Sequence, residues 1–339
     1  MFEKINLQLF AVTQVTTQES LSPEMKTFYD MTLIDEASAN LVHDQFGQKR
    51  PIPQNGGKTI EFRKFSSLPK ALTPLTEGVT PDGKSLEVTA ITSTVSQFGD
   101  FIVQSDVLEL TALDNTILEA TKLLGRQAGL TLDTITRNVM QSGTNVLWCP
   151  KVAADGKETE VSSRANLDAT SRLTVDVVSQ AVATLRAQNA PTINGDYVAI
   201  IHPYVAYDLM RDPEWIEAHK YASPENLYTG EIGKIGGVRF VQTTEAKIYY
   251  GAEDKCPDGL AVFGSLIFGE GAYGITEITG GGLQTIVKQK GSGGTTDPLD
   301  QRSSVGWKAI KTAELLIPQY IVRVESCSPK FSAKITAAN

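Results

Sequence analysis

The stretch of sequence that decides the fold lies at residues 59–104 and reads TIEFRKFSSLPKALTPLTEGVTPDGKSLEVTAITSTVSQFGDFIVQ. Apolar and polar residues alternate around Ile60 and Phe62, and again around Leu86 and Val88. This period of two predicts β-strands. The third run, residues 95–104, mixes apolar and polar residues on both faces, so neither face would make a clean core. The pattern predicts a long, strand-rich arm that the chain does not bury against itself.

The first two strands of this arm are joined by a segment that is rich in turn residues. Pro69, Pro74 and Pro81 lie in it, and residues 81–83 have the sequence Pro-Asp-Gly. Because proline fixes the backbone angle φ and Pro-Asp-Gly favours a tight turn, we expect a solvent-facing turn at the tip. With about 3.3 Å per strand residue, about ten residues out and ten back would place the tip roughly 30 Å from the base.

An arm of that length has two interpretations. An isolated two-stranded ribbon is marginally stable in water. The arm is either an ordinary exposed hairpin or a segment that lies across an adjacent copy of the same protein. In the second interpretation, the residues that contact the neighbouring subunit are those of the tip: Leu75, Thr76, Glu77, Gly78, Val79, Thr80, Pro81, Asp82 and Gly83.

Composition and charge limit the classes of protein to which this chain can belong. Its 339 residues are 41% apolar and 21% charged, which is typical of a folded protein and favours two domains. Lysine and arginine total 31 against 39 acidic residues, which gives a net charge of −8. This balance argues against a protein that binds nucleic acid by neutralising phosphates, so any nucleic acid would be contacted only non-specifically.

Targeting segments and cysteines point to the compartment in which the protein is made. No apolar run is long enough to span a bilayer, and residues 1–10 lack a signal-peptide stretch, so we expect no membrane partner. Cys149, Cys256 and Cys327 are an odd set without a C-x-x-C pair. This spacing predicts reduced thiols in a cytosolic setting, with neither cystines nor zinc.

Helical patterns flank the arm on both sides. Ser22 is a good N-cap for a helix whose rough apolar spacing continues to Gly47. A longer pattern predicts a spine helix over residues 115–142, about 40 Å long at ~1.5 Å per residue. Its apolar positions lie on one side, which should face a sheet. They are Ile117, Thr121, Leu124, Ala128, Leu132, Ile135 and Val139.

The second half of the sequence changes to an α/β pattern. Residues 153–171 form an excursion without an assignable role, and Thr174 then caps a helix that precedes a buried strand at residues 197–201. Gly236 and Gly237 turn the chain into a strand at residues 238–242. Further strands are predicted at residues 260–268, 274–278, 283–289, 305–310 and 320–325. We expect an α/β domain inserted into a domain that the C-terminus completes.

No pattern in the sequence predicts catalytic, cofactor-binding or metal-binding residues. Residues 269–274, GEGAYG, match G-x-G-x-x-G, but no helix follows to hold a pyrophosphate. Residues 230–237 resemble a phosphate loop but lack its Ser or Thr. His43, His202 and His219 are too scattered for a metal site. No G-x-S-x-G occurs, although a two-carboxylate hydrolase stays open as an alternative.

Four separated stretches carry a resemblance to a known family. They are residues 75–83 (LTEGVTPDG), 202–209 (HPYVAYDL), 230–240 (GEIGKIGGVRF) and 297–308 (DPLDQRSSVGWK). In this order they resemble the major capsid proteins of tailed double-stranded-DNA bacteriophages, in the branch similar to the large podophage coliphage capsid proteins. The positions that carry the motif are Gly236, Gly237, Arg239, Asp297, Pro298, Gln301 and Trp307.

The resemblance implies an α+β fold, the tailed-phage major capsid protein fold. It places an N-terminal arm with a helix at residues 1–58 and an extended β-hairpin loop at residues 59–104. A peripheral domain with the long spine helix and a β-sheet would comprise residues 105–172 and 269–339. An axial α/β domain would comprise residues 173–268.

The resemblance also implies a structural function and no enzymatic one. Subunits would assemble into the pentamers and hexamers of an icosahedral head that encloses double-stranded DNA. The extended loop would lie over a neighbour's peripheral domain, and axial domains would meet around the five- and six-fold positions. Some relatives crosslink lysine to asparagine between subunits, but no motif places such a pair here.

Partners and location follow from the same resemblance. The partners would be other copies of the chain, a portal protein, packaged DNA and candidate decoration proteins. A separate scaffolding protein is expected because no long helical segment precedes Ser22. The protein would be part of the virion and would assemble in the bacterial host cytoplasm. An encapsulin-like nanocompartment that encloses a cargo protein is the alternative function.

Overall fold

The computed structural model describes residues 31–37, 41–53, 55–65, 68, 70–75, 77–78, 80, 83–111, 116–153, 155–220, 233–292 and 297–339. The chain divides into two compact units. The first unit comprises Met1–Ser38, Phe98–Ala128 and Leu283–Ala309. The second unit comprises Ala39–Gln97, Gly129–Gly282 and Ile310–Asn339.

The described chain contains both helices and strands, with most strands in consecutive runs. The helices are residues 31–37 (α1), Asp106–Thr111 (α2), Thr116–Gln141 (α3), Val175–Ala187 (α4), Pro203–Met210 (α5) and Pro213–Lys220 (α6). The first eight strands are Gln48–Lys49 (β1), Thr59–Phe65 (β2), Val88–Thr94 (β3), Ser96–Ser105 (β4), Val146–Trp148 (β5), Lys151–Val152 (β6), Glu158–Thr159 (β7) and Tyr197–Ile201 (β8). The others are Lys234–Ile235 (β9), Val238–Gln242 (β10), Lys247–Tyr249 (β11), Val262–Phe268 (β12), Tyr273–Glu277 (β13), Gln284–Lys288 (β14), Arg302–Leu315 (β15) and Ile321–Ser326 (β16).

A seven-stranded sheet forms the centre of the second unit. Its order is β5-β16-β12-β8-β10-β9, with β11 paired to β12. Strand β8 is buried along its whole length, as the sequence predicted for residues 197–201. Its side chains alternate between two cores: Ala199 and Ile201 pack with helices α4 and α5, whereas Val198 and Ile200 pack with Met140 of α3. Burial on both faces explains the continuous apolar run.

Local capping signals in the second unit confirm several predicted boundaries. The Thr174 side chain accepts a hydrogen bond from Val177 N at the start of α4. Asp212 accepts from Glu214 N at the start of α6, at 3.1 Å. Gly236 and Gly237 have φ angles of +61° and +79° and join β9 to β10 as a two-residue turn. Positive φ at both turn residues is what a tight hairpin requires and what glycine supplies.

Helix α3 confirms the predicted spine helix, but its buried face differs from the predicted one. Thr121, Leu124, Ala128 and Leu132 are buried, whereas the other predicted positions are only half-buried. The buried face of its second half also carries polar side chains. They are Asp133, Thr136, Arg137 and Gln141. The prediction of a purely apolar face was wrong there, because these side chains are held by hydrogen bonds within the second unit.

The predicted helix before the arm ends earlier than residue 47. Residues 31–37 are helical, residues 41–47 form turns and bends, and residues 22–30 and 38–40 lie outside the described residues. His43 N donates to Asp133 Oδ1 at 2.7 Å instead of to a helix carbonyl. This tertiary contact outweighs the weak helical spacing of the segment.

Close backbone approach organises the strands of the first unit. Strands β4 and β14 pair with β15. A Cβ at Gly99 would lie 2.5 Å from Trp307 O, and a Cβ at Gly306 would lie 2.9 Å from Asp100 O. Only glycine fits at these crossings. The third strand of the predicted arm is therefore a sheet strand, and the paired part of the arm consists of β2 and β3.

The 153–171 excursion is fixed to the sheet of the second unit through a buried carboxylate. Arg164 donates to both oxygens of Glu325, which is 1% exposed, and Trp148 Nε1 donates to the same group at 3.0 Å. The Arg164 guanidinium lies 3.6 Å from the Tyr249 ring centroid. Burial opposes its charge, but the bonds to Glu325 outweigh burial and raise the pKa of Arg164. The excursion thus covers part of the sheet.

The sheet topology also bears on the predicted division into four segments. That division assigns β16 to the peripheral domain and β12 to the axial domain. In the structure, β16 pairs with β12 along six residues, from Phe263↔Ser326 to Phe268↔Ile321. The four-segment division stays a prediction.

His202 at the start of α5 is buried as a neutral side chain. Its Nδ1 accepts from Tyr204 N at 3.2 Å, and its ring lies 5.1 Å from that of Phe263. Burial lowers the pKa of His202 to about 4. This side chain acts as an N-cap, so its role here is structural.

The His202 environment predicts an acid-sensitive fold. Between its unfolded pKa of about 6.5 and its folded pKa of about 4, the unfolded chain binds the extra proton, so stability falls as the pH falls. His202→Asn keeps a capping acceptor without the titration. Between pH 7 and pH 5, we expect the unassembled wild type to lose about 1–2 kcal/mol more than His202→Asn in urea unfolding, allowing for partial solvent screening. Equal losses would contradict this role.

Candidate assembly surface

The two paired strands of the arm and the segment between them, residues 59–94, are called the ribbon. Strands β2 and β3 are antiparallel, from Thr59↔Thr94 at the base to Phe65↔Val88 at the far end. With seven residues in each strand, the paired part is about 23 Å long at ~3.3 Å per residue. The confirmed pairing places residues 66–87 beyond the last pair.

The base of the ribbon is anchored on a small sheet of the second unit. In this sheet β13 pairs with β1 and with the end of β15. Phe62 is 3% exposed and covers Gly274 of β13, where an added Cβ would lie 2.8 Å from the ring. Ser93 Oγ and Thr312 Oγ1 of β15 are 3.0 Å apart. These contacts fix the direction in which the ribbon leaves the sheet.

Phe62→Ala is expected to loosen this anchor. Removing a buried phenylalanine ring costs about 3 kcal/mol or more, because a cavity remains over Gly274. We expect the amides of β2 and β3 to lose hydrogen-exchange protection while those of β8 keep theirs. Phe101→Ala is the matched control, since Phe101 is 67% exposed and its loss should cost less than about 0.5 kcal/mol. Unchanged protection of β2 in Phe62→Ala would contradict the anchor.

Beyond its base, the ribbon exposes apolar side chains. All residues of the segment 68–90 that the structure describes are exposed. Leu72 and Leu75 are 82% and 78% exposed, and Leu68, Leu86 and Val88 are also exposed. Single exposed leucines are common, but a group of them on one projecting segment is typical of an interaction surface.

The residues predicted to contact a neighbour lie on this exposed segment. Leu75, Glu77, Gly78, Thr80 and Gly83 are exposed. Gly78 has a φ of +79°, as expected in a turn. The other four, which include most of the predicted Pro-Asp-Gly turn, lie outside the described residues. They are Thr76, Val79, Pro81 and Asp82.

The predicted motif residues lie in both units. Gly236, Gly237 and Arg239 belong to the β9–β10 hairpin of the second unit. The others belong to the first unit: Asp297, Pro298, Gln301 and Trp307. Asp297 Oδ2 accepts from Arg302 N at 2.8 Å, and the buried Trp307 donates to Gln127 Oε1 at 3.3 Å. These contacts order a loop and a strand, so Asp297 and Trp307 have local structural roles.

A buried ionic cluster beneath the ribbon's sheet was not predicted from the sequence. Lys311 of β15, 2% exposed, donates to the Asp44 carboxylate and to Leu132 O. Thr136 also donates to Asp44, at 2.6 Å. On β15, Lys311 and Thr312 point to opposite faces, because side chains alternate along a strand. The same short sheet therefore holds the ribbon on one face and this cluster on the other.

His43 extends the buried ionic cluster. Its Nδ1 lies 2.6 Å from Asp133 Oδ2, and both side chains are fully buried. Tyr273 OH donates to His43 O. Burial, with the charges of Asp44 and Asp133, raises the pKa of Tyr273 well above its usual value. In the sequence, each charged residue of this cluster stands alone among core residues. The sequence therefore does not show which residue it will pair with.

The described residues contain neither a metal-binding cluster nor a readily ionised thiol. No group of three or more His, Cys, Asp or Glu side chains in them could hold a metal ion. Cys149, Cys256 and Cys327 are free thiols. Burial raises the pKa of Cys256 to about 11 and that of Cys327 to about 12, so neither forms a reactive thiolate readily at neutral pH. Among the described helices, none combines the length and apolar character that crossing a membrane requires.

Comparison with known protein families assigns the central part of the sequence. A model of the phage capsid protein family matches residues 109–297, more than half of the chain. The chain belongs to the phage capsid protein family. The matched region includes the spine helix and the α/β segment, but it begins after the ribbon.

Solved structures show that this capsid protein has the tailed-phage capsid fold. The capsid of cyanophage P-SCSP1u matches with a TM-score of 0.63 and 13% identity, over 85% of this chain and 88% of that one. The capsid of Ralstonia phage GP4 matches with a TM-score of 0.61 and 15% identity, over 83% and 87%. A virus-like particle from Pyrococcus furiosus matches with a TM-score of 0.50 and 11% identity, over 89% and 99%. A comparison with curated protein sequences finds no match.

The family and the fold confirm the function that the resemblance implied. The protein is a structural major capsid protein of tailed phages, located in the virion head, where copies assemble into an oligomeric shell. The nanocompartment alternative is less supported, because the matching family is that of phage capsid proteins. The ribbon, residues 59–94, precedes the matched region.

Proposed function

We propose that each copy of this capsid protein lays its ribbon over a neighbouring copy in the pentamers and hexamers of an icosahedral head. The observation that carries the proposal is the difference in burial between the two ends of the ribbon. Phe62 fixes the base, whereas Leu72 and Leu75 are 82% and 78% exposed. Because the base is anchored, these two leucines remain exposed to solvent in a single copy. A second copy can bury them, with a gain of about 25 cal/mol for each Å² of apolar surface.

Contacts of this kind build a closed shell without strong individual interfaces. The ribbon and the surface that receives it are different parts of the chain, so the contact is heterologous and generates rings where the rotation closes. A standard interface buries roughly 1,600 Å². Each subunit makes several such contacts at once, and linked contacts raise the persistence of the whole assembly.

The proposal extends to the other components of the head. A portal protein would occupy one vertex, a separate scaffolding protein would direct assembly, and decoration proteins are candidate outer partners. Packaged double-stranded DNA would be contacted non-specifically, which the net charge of −8 supports. Assembly would take place in the bacterial cytoplasm, and the subunit would catalyse no reaction. In the predicted division, the ribbon would contact a neighbour's peripheral domain, and axial domains would meet around the five- and six-fold positions.

Size-exclusion chromatography followed by negative-stain electron microscopy tests this function. We expect the expressed chain, with a scaffolding protein where one is needed, to form closed shells of uniform size. Particles isolated from phage should contain DNA. Closed shells that instead purify with a defined guest protein would favour the nanocompartment alternative. A monomer with hydrolytic turnover and no particles would contradict the proposal.

A further inference from the structure

A cleft of about 690 Å³ lies on the surface of the second unit. Its walls are the turn at residues 45–48, the turn at residues 193–194, strand β10 and the turn at residues 270–271. Phe46, Ile193 and Val241 are half-buried apolar side chains that pack against the core around Val198 and Ile200. They form the apolar part of a lining that also includes the polar side chains of Gln45, Gln48 and Asn194.

The walls of this cleft are held in place by backbone hydrogen bonds. Glu270 N donates to Pro191 O at 2.9 Å, and Ile193 N donates to Asp196 O at 2.8 Å. The bonds link the turns at residues 193–194 and 270–271 to neighbouring backbone. A cleft whose walls are already fixed binds a partner at a lower cost in conformational entropy.

The rim of the cleft carries one charge of each sign. Arg239 and Glu270 both line the cleft and are exposed. Within the part of the chain that the structure describes, neither forms an ion pair or a side-chain hydrogen bond. The occupant that fits best therefore presents apolar side chains between a basic and an acidic residue.

The ribbon of the same chain has this arrangement. Among the ribbon residues that the structure describes, Leu72 and Leu75 are the most exposed large apolar ones. Lys70 lies two positions before Leu72, and Glu77 lies two positions after Leu75. Both flanking residues are exposed. Opposite charges at the ends of an apolar contact fix its register and exclude wrong partners.

We propose that the cleft receives residues 70–77 of the ribbon from a neighbouring copy. The two leucines pack on the apolar side chains of the cleft (Phe46, Ile193 and Val241), Glu77 faces Arg239, and Lys70 faces Glu270. This inference rests on the proposed function and deepens it, because it names the surface that receives the ribbon. That surface combines residues of the predicted axial segment (193–194 and β10) with residues 270–271 of the predicted peripheral segment, so the contact extends beyond the peripheral domain that the resemblance implies. Arg239, a motif residue from the sequence, thereby acquires a role in assembly.

A disulfide between copies tests the contact directly. Leu75→Cys and Ile193→Cys are combined in one chain, and assembled particles are oxidised mildly and run on a non-reducing gel. We expect a ladder of covalently linked copies that reductant removes. Each single variant, and the control pair Leu75→Cys with Asp155→Cys, should stay monomeric on the gel. Assembled double-variant particles without a ladder would overturn the proposal, as would a crosslink confined to one chain.

Charge reversal provides a second test that does not depend on oxidation. Arg239→Glu is expected to reduce the yield of closed particles at least tenfold while the subunit stays folded. Arg239→Glu combined with Glu77→Arg should restore most of that yield. If Arg239→Glu assembles normally, or if the double variant is no better than the single one, the cleft is not the receiving surface. Wild-type particles in the same experiment test whether the chain forms shells at all. A failed cleft contact can then be distinguished from a failure of the proposed function.

Discussion

Deleting residues 73–83 is expected to leave a folded subunit that no longer closes into particles. The described residues of this segment are all exposed, so its removal takes away no buried contact that the structure shows. Shortening a surface loop changes the closure entropy only slightly, and we expect the free energy of unfolding to change by less than about 1 kcal/mol. The contact with the neighbouring copy is lost because Leu75 is removed and Leu72 is displaced.

Particle yield and subunit stability are measured separately for this deletion. Size-exclusion chromatography and negative-stain images report assembly, and urea unfolding followed by circular dichroism reports the fold. A glycine-serine replacement of equal length is the matched control for loop length, and it should also fail to assemble. Normal closed particles from either variant would show that the ribbon tip is not the joint between copies.

The second large effect is expected at the buried ionic cluster. Lys311→Met leaves the Asp44 carboxylate, 13% exposed, without its cation. Removing one partner of a buried ion pair costs about 3–5 kcal/mol, because the remaining charge stays desolvated. The assembly-deficient deletion variant provides a soluble background in which urea unfolding measures this loss.

Two further variants distinguish the loss of the ion pair from a general destabilisation of the fold. Lys157→Met is the control, since Lys157 is exposed and its replacement should cost less than about 0.5 kcal/mol. Lys311→Met combined with Asp44→Leu removes both charges and should recover at least about 1 kcal/mol relative to Lys311→Met alone. A Lys311→Met protein as stable as the Lys157→Met control would show that the cluster does not hold the fold together.

The parts of the fold that sequence reasoning predicted depend on local rules. The Thr174 cap, the Gly236-Gly237 turn and the buried strand at residues 197–201 were recognised because capping, turn geometry and continuous apolar runs act over a few residues. The paired strands of the ribbon followed from a period of two.

The parts that were missed depend on contacts between distant residues. Lys311 and Asp44 are 267 positions apart, and nothing near either one shows that they meet. The polar face of α3 and the early end of the helix before the arm have the same cause, since Asp133 binds His43 from 90 positions away. Likewise, the sequence of β4 predicts a third strand of the arm, but β4 pairs with β15, which lies far away in the sequence.

The candidate assembly surface was predicted in part. The ribbon and its exposed tip could be inferred from the sequence, because the strands lack a clean apolar face and the tip is rich in turn residues. The cleft could not, because its walls come from four separate segments and its charges, Arg239 and Glu270, adjoin only in the folded chain. A contact between copies also leaves no signature in the order of residues along one chain.

A cryo-electron microscopy map of shells assembled from the full chain tests the central claim most directly. The account predicts density for residues 68–88 on the surface of an adjacent copy, with Leu72 and Leu75 buried there. A map in which the ribbon folds back onto its own subunit, with no neighbouring copy in contact with these leucines, would contradict it.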